Sequence, residues 1–255
     1  MATVSGADRK TLPSAITSSR DWSPGRDEAW WWLVIPAVCT VTLFVINAIS
    51  ADFYDKYILP EGYGFLEFTQ FVVLVLGFFI SLALFRFRIV RRDKLLLAAA
   101  IVFALTCFYI AGEEMSWGQH FFNWSTPEYW AAINRQDETN LHNVSPWFNQ
   151  RPRLVLEIGV FVGAIVLPLW QLAKGPFTQP LLALFVPPVA ALPVGLTYVL
   201  FKVVDHVTKR GHFLWLLGRP NEAVESTMYL FIFYYLIIFY RRIRLLDAAG
   251  VERLS

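Results

Sequence analysis

Charge is what this chain has least of. Only 16% of its 255 residues are charged and 56% are hydrophobic, whereas about a quarter of an ordinary soluble domain is charged. A soluble globular protein is therefore excluded. No long basic run interleaved with aromatics is present, which excludes nucleic acid as a partner. The two cysteines, Cys39 and Cys107, both fall inside apolar runs; no disulfide framework is implied, and both read as small buried hydrophobes. No apolar stretch precedes Ala29, so residues 1–28 read as a polar, disordered tail rather than a cleaved signal peptide. A glycine-rich phosphate loop, H-E-x-x-H and G-x-S-x-G are all missing.

What is there is a series of long apolar runs. Six reach the length of about 18–20 residues that crosses a hydrocarbon core: Ala29–Ile49, Phe65–Phe85, Leu95–Gly112, Leu154–Ala173, Leu181–Phe201 and Ala223–Tyr240. The fold class is all-α, a polytopic transmembrane helical bundle over residues 29–240, with a basic tail over 241–255. Pro187, Pro188 and Pro193 predict a kink in the fifth span, whose freed carbonyls then need partners inside the bundle. With six spans, fourteen of the 22 Lys and Arg fall on the side of the termini and eight on the other, which places both termini in the cytoplasm. Trp30–Trp32 suit an interfacial anchor.

The segment from Glu113 to Pro152 forms a long outer loop. Within it "STPEYWAAIN" predicts a short interfacial helix with Thr126 as N-cap and Pro127 at its first position. In the next outer loop, "HFLWLL" (His212–Leu217) is too short to span and is expected to dip into the interface.

The polar residues converge on that outer side. All four histidines and thirteen of the twenty acids lie there, among them Glu67, Glu113, Glu114, Glu157, Asp205, Glu222 and Glu225 at span ends. Carboxylates at membrane depth are costly unless they face a cavity or a partner, so a polar chamber at the outer mouth is expected. If the third span continues as helix, Glu113, Trp117 and His120 share a face and Glu114 points elsewhere. In "QDETNLHN", either a helix or an extended segment brings Glu138 close to His142. Two explanations stand side by side for these groups, a structural hydrogen-bond network and a metal or catalytic site. In the second, His120 and His142 hold a metal with Glu113 or Glu138, zinc and iron both fitting the donor set, and Glu114 is general base, with Glu113 and Glu138 as further acid–base candidates. The substrate would be a lipid or lipid-linked molecule entering sideways between helices, membrane lipids being the natural partners. The alternatives are a cation- or proton-coupled transporter and a structural subunit of a membrane complex. Plainer roles exist for single residues: Glu222 at a helix N-terminus, Glu67 and Glu157 in ion pairs, Lys202, Arg210 and His212 facing headgroups, and His206 beside Asp205 as a solvated pair.

"GEEMSWGQ", "TPE" and "NRQDETNLHN", with "LPEGYGFLEF" upstream, resemble a signature of uncharacterised bacterial polytopic membrane proteins. The resemblance covers Pro60 to Asn143. It implies a bacterial inner-membrane location and no particular reaction. A looser similarity links the chain to intramembrane zinc hydrolases of the alkaline ceramidase type, which also gather Ser, Asp and His at one membrane face. The histidine spacing differs, and six spans replace seven.

Overall fold

The computed structural model describes residues 25–60, 62–141, 143–211, 217–251 and 254, and all of its regular elements are helical. The expected tail up to residue 24, the dipping segment at 212–216 and His142 lie outside them. Six helices or helix pairs are long and apolar enough to cross a membrane, so the chain is a polytopic helical bundle. The spans are formed by α1 (Arg26–Ile49), α2 (Phe65–Leu84), α3 (Lys94–Glu114), α5 (Pro146–Phe161) continuing into α6 (Leu167–Lys174), α7 (Pro180–Phe185) with α8 (Leu192–Lys209), and α9 (Pro220–Ala248); α4 (Glu128–Ile133) lies in the long loop. Boundaries differ from expectation by three or more residues at four of the spans. The helix of the fourth starts at Pro146 instead of Leu154, and that of the fifth ends at Lys209 instead of Phe201. The first helix begins at Arg26, inside the segment expected as tail, and α9 runs on to Ala248 instead of ending at Tyr240. Arg242 explains the last: it is 1% exposed and donates into the bundle, so its charge does not end the helix.

The centre of the bundle is α9, which packs on α2, α8 and α5. In its most apolar window 56% of residues are buried, against 22% in α1. The rest of α1 therefore faces outward, and Cys39, expected to be buried, is exposed there; Cys107 is buried. Trp32 of the expected anchor turns inward onto Tyr234, with ring centroids 4.4 Å apart, while Trp30 and Trp31 stay exposed.

Prolines shape the fourth and fifth spans. Pro168 cannot donate to the carbonyl of Ala164, and the helix widens into a π-turn over Val162–Val166 between α5 and α6. That carbonyl faces Gly195 so closely that a Cβ there would lie 2.4 Å from it. The expected kink of the fifth span is a full break between α7 and α8, with Val186 to Pro188 extended or irregular and a 3-10 turn at Val189–Ala191. The carbonyls of residues 184 to 187 all find side-chain donors. Arg242 Nη1 donates to Leu184 and Val186, both at 2.7 Å. Tyr235 donates to Phe185 at 2.9 Å and Gln171 to Pro187 at 2.8 Å.

Candidate functional site

The last turn of α3 ends at Glu114, and the chain then turns sharply. Ser116, Trp117 and Gly118 all take positive φ, 45°, 55° and 101°. Two consecutive non-glycine residues in this region are costly and cluster at functional sites. The third span therefore does not continue as helix to His120. Trp117 nevertheless meets Glu113, its Nε1 donating to Oε1 at 2.8 Å.

The turn sends the loop back over the bundle, where five bonds hold it. Leu141 N–H donates to Glu113 Oε2 at 2.8 Å. Thr139 donates from its backbone to Gln119 Oε1 and from its hydroxyl to the Ser116 carbonyl, both at 2.8 Å. Thr126 donates to the Asp137 carbonyl and accepts from Gln119 at 2.8 Å. Its hydroxyl being held there, Thr126 does not cap α4. That helix starts one residue late, with Pro127 in the cap position and no side-chain cap.

Under this roof Glu138 and His120 meet, with Nε2 of the imidazole 3.2 Å from Oε1. Glu138 Oε2 also accepts from Ser116 at 2.9 Å and from Asn140 at 2.6 Å. Asn134 in turn donates to Asn140 at 2.9 Å. Burial alone would push the Glu138 carboxyl up, but the hydrogen bonds from His120, Ser116 and Asn140 and the positive charge of His120 outweigh it and hold it below its ordinary value. Ser116 lies 3.1 Å from the same His120 nitrogen. A Ser-His-Glu relay needs the hydroxyl and carboxylate on opposite ring nitrogens. Here both share Nε2, and Ser116 is fully buried. Ser116 thus positions Glu138 and His120 and is no nucleophile. The other edge of the ring lies on Gly62, where φ is 79° and a Cβ would stand 2.2 Å from Nδ1.

Beside the pair opens a cavity of about 590 Å³, within the usual range for ligand sites. Glu67, Glu113, Glu114, Glu138, Glu222 and Glu225 line it, with His120, Arg153 and Arg219. Glu114 accepts from Tyr229 at 2.7 Å. Glu222, in the first turn of α9, accepts from Arg219 at 3.0 Å, and Glu225 from Arg153 at 2.5 Å. Arg153 also donates to Glu157, which Lys202 approaches at 3.0 Å. Lys202, expected to face headgroups, is therefore drawn into the bundle by Glu157. Glu67 accepts from Gly62 N–H.

The expected convergence of Glu113, Glu114, His120 and Glu138, with Glu222 and Glu225, is what lines this cavity. Of the expected metal ligands, His142 lies outside the described residues. Among the described residues no three His, Cys, Asp or Glu side chains are grouped so as to hold an ion. Tyr229 and Arg153 were not foreseen. The signal for Tyr229 was its place two turns after Glu222 and one after Glu225 on the same helix face. No protein-family model, curated protein or solved structure matches the chain.

Proposed function

We propose that the protein is a multi-pass protein of a bacterial inner membrane, with both termini cytoplasmic, that hydrolyses a lipid or lipid-linked substrate at its outer face. The observation carrying this reading is the cavity of about 590 Å³, whose walls change from six glutamates at the loop end to Ile110, Leu156 and Met228 deeper in the bundle. Such a lining matches an amphiphile: a polar head above, a chain below. The resemblance over Pro60 to Asn143 and the Lys and Arg asymmetry support location and orientation.

The acid–base roles divide between two walls. An ionised Glu138 favours the charged imidazole of His120, which makes His120 the proton donor to a leaving group. Glu114 on the α3 wall, with Tyr229 at its carboxylate, is the general base for water. Glu113 holds the roof through Leu141. Coupled transport is the weaker alternative, because the carboxylates of α2, α3 and α9 lie within the outermost two turns of their spans and not near the midplane.

The test is reconstitution in vesicles of total bacterial lipid, with lipid species followed by mass spectrometry. The wild type should deplete one headgroup class and Glu114→Gln should not. An unchanged lipid profile with the wild type would overturn the enzyme reading.

A further inference from the structure

The roof and the walls of the chamber differ in how tightly they close. On the roof, residues 116–141 are tied by the bonds from Thr139, Leu141 and Thr126. On the side, α3 packs on α2 and α5 packs on α9, and α3 and α5 are not closely packed against one another. Tyr109 on α3 and Val155 on α5 both line the chamber, yet they are 37% and 72% exposed. Both lie within helices long and apolar enough to cross a membrane, and in such a bundle an outward-facing side chain meets hydrocarbon. From Glu113 the chamber follows α3 down to Thr106, about 10 Å at 1.5 Å per residue, or roughly a third of a hydrocarbon core.

The charges of the lining set the kind of head that fits. Six carboxylates face the chamber with two guanidiniums. With all of them ionised and the charged His120 counted as a third cation, that is an excess of three negative charges. Bringing an anionic head alone into this space sets like charge against like, whereas an ammonium is complementary.

We infer that the chamber is entered sideways from the bilayer through the cleft between α3 and α5, and that its ligand is a lipid whose head carries an amine. This rests on the chamber being the substrate site, as proposed above, but not on any reaction taking place there. The chain of the lipid lies in the cleft between Tyr109 and Val155. Its head sits beneath the roof among the glutamates.

Full-length protein in detergent, titrated with lysophosphatidylethanolamine or lysophosphatidylglycerol of one acyl chain and read by native mass spectrometry, separates the parts. The ethanolamine lipid should bind at least tenfold more tightly than the glycerol lipid. Val155→Trp, which fills the mouth, should weaken that binding at least tenfold, while Leu196→Trp, at an exposed position on α8, leaves it unchanged. Both variants should keep the wild-type melting temperature, which excludes misfolding as the cause. Equal binding of the two lipids overturns the amine head, and unchanged binding by Val155→Trp overturns the lateral entrance. If the ethanolamine lipid binds as expected but no lipid is turned over, this inference stands and the hydrolase reading falls. If Glu114→Gln abolishes turnover while both lipids bind alike, the reverse holds.

Discussion

The two ends of the bundle meet the same difficulty, polar groups at membrane depth, in opposite ways. At the end that carries the termini, polar side chains bond to backbone among packed apolar residues. Arg242, Tyr235 and Gln171 hold the carbonyls of the broken fifth span. Asp93 caps α3 at Leu95 and Leu96 and accepts from Leu254 N–H. Leu84, Ile89, Leu96, Phe239 and Ile243 pack around them without exposure. At the loop end, six carboxylates surround a cavity and the backbone is strained at Ser116 and Trp117. Polar groups that complete a fold are aimed at its backbone. Those arranged around a space are placed for something that enters it.

The largest expected contrast is in turnover. Glu114→Gln keeps an acceptor for Tyr229 and should lower lipid turnover at least about 100-fold, the scale of a lost general base, with little change in melting. Arg242→Met should do the opposite. It leaves the carbonyls of Leu184 and Val186 without their donor, at about 1–3 kcal/mol each, so thermal unfolding should move down by several degrees while turnover per folded molecule stays at the wild-type level. Equal loss of turnover in both variants would erase the difference between the ends.

A smaller effect is expected at Ser116. Ser116→Ala removes a donor from Glu138 and an acceptor from Asn140, and should cost about 1–3 kcal/mol of stability. Because the His120–Glu138 contact is direct, turnover should fall by less than in Glu114→Gln.

The smallest effect is in pH. The Glu138 carboxyl is held below its ordinary value in the fold. Its contribution to stability is therefore full above the unfolded carboxylate range, near about 4.3, and is lost as pH falls through the folded value. Wild-type melting should drop in that acid window, and Glu138→Gln should show a shallower drop there. Identical acid profiles would show that Glu138 carries no such linkage.

The spans were legible because length and apolarity alone decide them, and an interruption of the fifth, expected as a kink, because proline has no N–H to give. The loop-end chamber was legible in outline, since Glu113, Glu114, His120 and Glu138 were named from charge placement. Its construction was not. The partners that fix Glu113, Glu67 and Gln119 include the backbone N–H groups of Leu141, Gly62 and Thr139, which residue types do not announce. The left-handed turn at Ser116 and Trp117 carries only Gly118 as a signal. At the other end, three arginines after Tyr240 looked like the end of a span. The carbonyls that accept Arg242 exist only once α7 and α8 have broken apart.

Two of the three methionines, Met115 and Met228, allow the central claim to be tested from within. Both are buried, at 2% and 1% exposure, but only Met228 lines the chamber. Protein grown with photo-methionine, illuminated in its own membrane and digested for mass spectrometry, reports what touches each site. A lipid adduct on the Met228 peptide and none on the Met115 peptide is the expected result. Met228 free of lipid, or lipid on both peptides alike, would contradict the assignment of the loop-end cavity to a lipid-borne substrate.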